Sequence, residues 1–388
     1  MDANIKGYCL LWEKHLQEED NVFNFNYLNG IKICDYNTLR KIKKGEVVSS
    51  QIYNDLFLSL NVKYHEDEKL NQWLFKRLED LKESYEYFDS NRQQEIYKDL
   101  LQKIDQKEYP YKAYRKALEL TRIILNDFQT VSILEQTLLC NLLEVESQAF
   151  KTILSLALVW NKTRLIEDEK IIYNYAMSLP FIDDYLGLYT KARMSLFLQK
   201  HDDFLKYIEA SEAFVREDNV FAKMKYYAFM EGYHDTKKEI ELARFYLDQY
   251  RDTNLENKDK MGNDFYASNC YYLWISYYMI DEYDIAYEYM IEYFSCIKEA
   301  RFLEKIIYFS LCSLKGIQPT LFNPCDIDEK NCKGIDKRRI HYFQMLYNNQ
   351  PISRRKAYLI TRYKPVVSKA YALDLKIIEN ELNLIAKK

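Results

Sequence analysis

The stretch Cys34-Asp35-Tyr36-Asn37-Thr38-Leu39-Arg40-Lys41-Ile42-Lys43-Lys44-Gly45, followed by Ser49-Ser50-Gln51-Ile52-Tyr53, decides how the N-terminal part folds. It predicts a short helix from about Asp35 to Lys44, stopped by a glycine suited to a left-handed cap. A second helix starts at Ser49 or Ser50, both good N-caps, and runs to about Leu60. Leu39 and Ile42 lie three apart, so they share a face and can be buried together. Arg40, Lys41, Lys43 and Lys44 then crowd the exposed arc. A short basic helix carrying Asn, Thr and Tyr, set beside a packed partner, is what major-groove reading requires. The same letters also suit two surface helices of an all-helical protein whose basic face is merely solvated.

These residues resemble the second half of a helix-turn-helix domain of the Cro/CI, or xenobiotic-response-element, type. In that family a recognition helix of the form V-S-x-S-T-L-S-x-I-E-x-G precedes a helix of the form P-S-x-x-x-L-x-x-L-x-x-x-L-G-V. The matching positions are Thr38, Leu39, Ile42 and Gly45, then Ser49, Tyr53, Leu56, Leu60 and Val62. Lys43 replaces the family's acid, and Ile33 replaces its glycine. A positioning helix is implied over Phe23-Asn24-Phe25-Asn26-Tyr27-Leu28-Asn29-Gly30-Ile31-Lys32-Ile33. There Phe23, Asn24 and Leu28 fit, but Asn29 stands where a small residue is usual. A first helix, roughly Asn4 to Gln17, buries Tyr8, Leu11, Trp12 and His15 or Leu16. The resemblance implies that Asp35, Tyr36, Asn37 and Arg40 face base edges. Thr38, Lys41, Lys43 and Lys44 would contact phosphates or support the helix. Asn37 suits a bidentate contact to adenine and Arg40 one to guanine.

The 388 residues exceed one average domain, and only 8 glycines and 6 prolines interrupt them. So few breakers predict a nearly all-helical chain with short connections. The net charge is −4. The first 65 residues balance 8 Lys/Arg against 8 Asp/Glu, so positive charge is local to 40–44. That predicts modest intrinsic DNA affinity, improved by homodimer formation. No basic start followed by an apolar run marks a signal peptide, and no stretch has the length of a membrane span. A cytoplasmic protein with no membrane partner is expected. The 8 cysteines lack the tight pairing of zinc ligands and read as reduced core residues, so no metal or other cofactor is expected.

The polar junction at 61–68 sets an expected domain limit, with a helix-turn-helix domain over 1–65 and a helical-repeat domain over 66–388. Beyond it, amphipathic segments follow one another across short polar turns. Helices are predicted near 69–88, 92–104, 113–125, 131–141, 146–160 and 167–177. From 185 the pattern sharpens, with helices near 185–199, 202–216, 219–232, 236–250, 264–279, 283–297 and 300–313. Ala243 and Ala286 stand where close helix crossings want small residues. These pairs resemble tetratricopeptide-like hairpins with a loose repeat of roughly 34 to 43 residues. The resemblance implies a right-handed helical-repeat solenoid. An irregular excursion is expected over 316–337, then capping helices near 337–347, 353–363 and 365–385.

A DNA-binding head before a helical-repeat body resembles the peptide-responsive regulators grouped as RRNPP, with Rgg-like and PlcR-like members. The resemblance implies double-stranded DNA and a signalling peptide or other small ligand as partners. Main-chain amides of an extended peptide want side chains that donate and accept together, for which asparagine is suited. Asn141, Asn174 and Asn269 are candidates, with Tyr227, Tyr266, Tyr272 and Tyr278 as packing surfaces; each also suits an ordinary core or surface role. No phosphate loop, nucleophile elbow or zinc-protease motif occurs, so no enzyme is expected. The expected function is therefore a ligand-sensing transcriptional regulator. The alternative is a protein-interaction scaffold whose head no longer touches DNA.

Overall fold

The computed structural model describes residues 4–18, 27–44, 46, 48–143, 147–166, 168–181, 183–332, 334–367 and 372–387. Among them the fold is all-α, with nineteen α-helices and one two-stranded hairpin. The chain divides into two compact units, 1–229 and 230–388, and the expected junction at 61–68 lies inside the first.

The first unit opens with α1 (Asn4–Glu18), the strands β1 (Tyr27–Leu28) and β2 (Ile31–Lys32), α2 (Tyr36–Lys43) and α3 (Ser50–Ser59). The hairpin is a correction to the expected positioning helix. Asn29 and Gly30 both take positive φ, 51° and 79°, and Tyr27 pairs with Lys32 across them. Asn-Gly with both residues left-handed matches the right-handed twist of a tight hairpin, and this local preference overrides the helical template. Positions 23–26 of that template lie outside the described residues.

The body of this unit runs through α4 (Glu68–Glu86), α5 (Ser90–Lys103), α6 (Tyr111–Leu125), α7 (Ile133–Leu142), α8 (Gln148–Leu165), α9 (Glu169–Ser178), α10 (Tyr185–Phe197) and α11 (His201–Glu212). Helix α8 is apolar nearly all round, with Ala149, Phe150, Ile153, Leu154, Ala157 and Leu158 buried. A helix with no polar face must be covered on every side, and α8 packs against α4, α6, α7, α9 and α10. One core runs from Ile5 and Trp12 through Leu56 and Leu74 to Leu186, so head and body share it. Polar contacts join them as well. Glu13 of α1 accepts from the Tyr109 hydroxyl at 2.6 Å and from Lys112 Nζ at 2.9 Å.

The unit division falls within α12 (Val220–Thr236). The second unit continues through α13 (Ile240–Glu256), α14 (Asn263–Met279), α15 (Tyr283–Cys296), α16 (Phe302–Lys315), α17 (Gly334–Tyr347), α18 (Ile352–Tyr358) and α19 (Ala372–Ala386). Residues 316–333 carry only two single-turn 3₁₀ segments among those described, as the prolines require. The helix expected from Pro365 is corrected: a 3₁₀ turn covers Lys364–Val366, Val367 is extended, and α19 starts at Ala372. Its anchor is buried and polar. Arg339 of α17 grips Asp374 of α19 through Nε and Nη2 at 2.8 and 2.5 Å, and Asp374 also accepts from the Tyr363 hydroxyl at 2.6 Å.

The connections between paired helices repeat one device. Phe88, Gln199, Lys238, Asp281 and Asn349 each take φ between 52° and 69°. The following amide donates to a carbonyl five residues back: Asp89 to Ser84, Lys200 to Ser195, Glu239 to His234, Glu282 to Tyr277 and Gln350 to Met345, all at 2.9–3.0 Å. This is a Schellman closure made without glycine. It ends one helix and launches the next after three or four residues.

Candidate functional site

Helix α2 begins at Asp35, whose carboxylate accepts from the Thr38 amide at 2.8 Å. That hydrogen bond holds the Asp35 carboxyl below its ordinary value. Asp35 is thus employed as the N-cap, with its carboxylate directed at its own helix. Leu39 packs on the core and Ile42 is buried, so α2 is anchored by one narrow stripe. Gly7 of α1 lies beneath it, and a Cβ there would come within 3.4 Å of Ile42. Tyr36 is 75% exposed, Asn37, Arg40, Lys41 and Lys44 are exposed, and Thr38 is half-buried. The helix ends at the Lys44 cap; Gly45 and the Lys43 side chain lie outside what is described.

Among the described residues no ion pair engages Arg40, Lys41 or Lys44. Several surface arginines elsewhere are paired: Arg77 with Asp80 and Asp99, Arg92 with Glu83, Arg244 with Glu282, and Arg251 with Asp248 and Asp252. Helix α3 follows with Ser49 as N-cap, and Tyr53, Leu56 and Phe57 fix it to the core. The hairpin strand β2 places exposed Lys32 close enough to Asp35 and Cys34 to act on both electrostatically. Ile31 beside it is 74% exposed. The exposed surface of the head therefore combines α2 with a small wing.

The expected ligand residues divide between the two units. Asn141 on α7 is half-buried and Asn174 on α9 is exposed. Tyr227 on α12 lines a cavity of about 310 Å³ with Val215, Ala222 and Tyr226. The remaining four belong to the second unit, where their polar or aromatic groups serve the interior. Asn269 accepts from the Tyr250 hydroxyl at 2.8 Å and donates to Asn254 at 3.0 Å. Tyr278 pairs with Ser310 at 2.9 Å and accepts from Asn380 at 3.4 Å. Tyr266 is buried, with the Lys258 ammonium 4.6 Å from its ring. Tyr272 donates to Glu231 at 2.7 Å, and burial pushes that carboxyl up to about 7.

A cluster that sequence reasoning missed lies in the first unit, where Arg193 stacks over Trp160 and Lys225 sits over Phe88. Its signal is present in the letters. Tyr189, Arg193 and Phe197 follow at four-residue spacing on α10, as do Lys225 and Phe229 on α12. Among the described residues no group of three or more His, Cys, Asp or Glu could hold a metal ion, and no helix is long and apolar enough to cross a membrane. No protein-family model matches the chain, and no curated protein matches it.

Proposed function

We propose that this protein is a DNA-binding transcriptional regulator whose helical body senses a peptide or other small ligand. The observation that carries the reading is α2 itself. Its apolar stripe is spent on Leu39 and Ile42, while Asn37, Arg40, Lys41 and Lys44 stand in solvent. A helix held to a core by two side chains and bearing unmatched cations is shaped to enter a groove lined with phosphates. Asn37 and Arg40 carry the base-edge contacts in this reading; Lys41 and Lys44 contact the backbone. Lys32 of the hairpin adds a flanking phosphate contact. The charge involved is small, so two heads acting as a homodimer supply the affinity.

The scaffold reading keeps one observation in its favour: a hairpin stands in the latter part of the segment where the positioning helix is expected. The two readings part on salt. Fluorescence anisotropy on the chain's own upstream intergenic DNA, against scrambled duplex at two salt concentrations, decides between them. The regulator binds saturably, prefers its own sequence, and weakens steeply as salt rises. The Arg40→Ala/Lys44→Ala double variant loses that binding. A folded protein that shows no saturable binding, with or without candidate effectors, is the scaffold.

A further inference from the structure

We propose that a cavity at which α16 and α17 both end binds a small organic cation of the alkylammonium class. The proposal rests on the ligand-sensing half of the proposed function, narrows it to a small ligand, and is independent of the DNA half. The cavity, of about 160 Å³, lies within the second unit. A cavity of about 150 Å³ holds a benzene-sized molecule, so there is room for one compact ligand. Cys312, Ser313 and the Gly316 cap of α16 line it. Leu346 and Tyr347 join them from the last turn of α17, with Asn349 just beyond that helix.

Its floor is buried and its mouth is exposed. Phe309, Cys312, Pro324 and Phe343 are buried, whereas Ile317, Gln318 and Asn349 reach solvent. The outer wall belongs to the irregular run after Gly316, which side chains of the two helices tie down. The Tyr308 hydroxyl accepts from the Thr320 and Leu321 amides at 2.9 and 3.1 Å. Gln344 donates through Nε2 to the Pro324 and Ile327 carbonyls at 3.1 and 2.9 Å. These bonds fix the wall beside the cavity, where an untied loop would close the gap and regain the packing a void forfeits.

Three features set the charge of the ligand. Among the described residues no charged side chain lines the cavity, so no fixed cation repels a positive guest. Both helices bring the negative ends of their dipoles to it. Phe309 and Phe343, with ring centres 5.9 Å apart, and Tyr347 supply aromatic surface whose quadrupole attracts cations. An anion meets the wrong sign at the helix ends and at the ring faces, and a neutral molecule gains nothing from either charge distribution. The side-chain oxygens of Ser313, Gln318 and Asn349 can accept from a donor on the ligand. With no carboxylate to pair with, an alkylated ammonium fits best, because its charge is spread and leaves water at lower cost than a compact ion.

The test is calorimetric titration of the full-length protein with choline and with 3,3-dimethylbutan-1-ol, which has the same shape without the charge, at matched ionic strength. Choline is expected to bind about tenfold more tightly than the alcohol. Tyr347→Leu keeps apolar bulk but removes a ring, and should bring that ratio toward one. Asn349→Asp adds a carboxylate at the mouth and should tighten choline severalfold while leaving the alcohol unchanged. Aspartate tolerates the left-handed conformation of that position, at φ 52°, so the variant is expected to fold. Ser313→Leu fills the cavity and should abolish binding of both probes. Circular dichroism melts check the fold of each variant, and a gain of affinity in Asn349→Asp cannot come from unfolding. Equal binding of the two probes, or tighter binding of the alcohol, overturns the cation assignment. Failure of choline to bind overturns the site, as does choline binding that none of the three variants alters. A protein that binds its upstream DNA but not choline keeps the DNA half of the proposed function and loses this site, so the two failures are told apart.

Discussion

At the scale of single residues, exposure separates side chains that can act outward from those that hold the fold. Arg40 and Asn37 are available, whereas Asp35 is occupied at the helix cap. Arg40→Ala is expected to weaken specific DNA binding by about 1–3 kcal/mol and to relax preference at one base position, read by anisotropy on a panel of single-base variants. Glu231 makes a different prediction. Its folded pKa, about 7, lies above the ordinary carboxylate value, so the folded chain keeps a proton that the unfolded chain has released. The stability tied to that proton is complete at acid pH and disappears as pH rises through about 7. Urea midpoints should therefore fall between pH 5 and pH 8, and Glu231→Gln should reduce the fall. A variant with the same pH profile as the parent would show that Glu231 is not the group responsible.

At the scale of elements, short turns and one buried ion pair define how helices join. Asp281 and Asn349 suit the left-handed positions of the helix connections, Phe88, Gln199 and Lys238 less so, and β-branched residues tolerate that conformation worst. Lys238, exposed at φ 61°, offers a clean test. Lys238→Val is expected to lower stability by about 1–2 kcal/mol, and Lys238→Gly to leave it equal or slightly higher, in paired urea titrations. Asp374 sits 1% exposed between Arg339 and Tyr363. Asp374→Ala leaves the buried Arg339 guanidinium only Asp336 and deprives the Tyr363 hydroxyl of its acceptor, so a loss toward the lower end of about 3–5 kcal/mol is expected, along with detachment of α19 visible in hydrogen exchange. Ordinary exchange protection of α19 in that variant would mean that apolar packing alone holds the helix.

At the scale of the molecule, the head is built into the first unit. Its residues Ile5, Trp12, Leu56 and Leu60 share a core with Leu74, Leu118 and Leu139 of the body. Glu13 ties α1 to the buried Tyr109 hydroxyl and to Lys112. Glu13→Ala is expected to cost about 2–3 kcal/mol, because the phenol loses its acceptor where water cannot replace it. A fragment starting at residue 66 should melt with less cooperativity than the whole chain, since the cut exposes the apolar surface that α1 and α3 cover. A head so fixed would transmit a ligand event through packing, with no need of a flexible linker.

Local rules account for what was readable in the letters. Helices α1, α2 and α3 lie where caps and apolar spacing put them, because Asp35 and Ser49 satisfy amides three residues away and need no distant partner. The short turns between the helices expected near 185–199 and 202–216 and near 264–279 and 283–297, and the irregular run after Gly316, are legible for the same reason. The Asn29-Gly30 hairpin was equally local, but a family template outweighed it in the reading of that segment. Asn269 and Tyr278 could not be sorted by sequence, since a helical asparagine or tyrosine points inward or outward according to which helices close over it. Tertiary packing put Tyr250 and Asn254 against Asn269, and Ser310 against Tyr278. It also brought Arg193 over Trp160 and Lys225 over Phe88, pairs from helices remote in sequence. Spacing within one helix selects a face, whereas the meeting of two faces depends on how far the intervening chain turns, and only the packed core decides that.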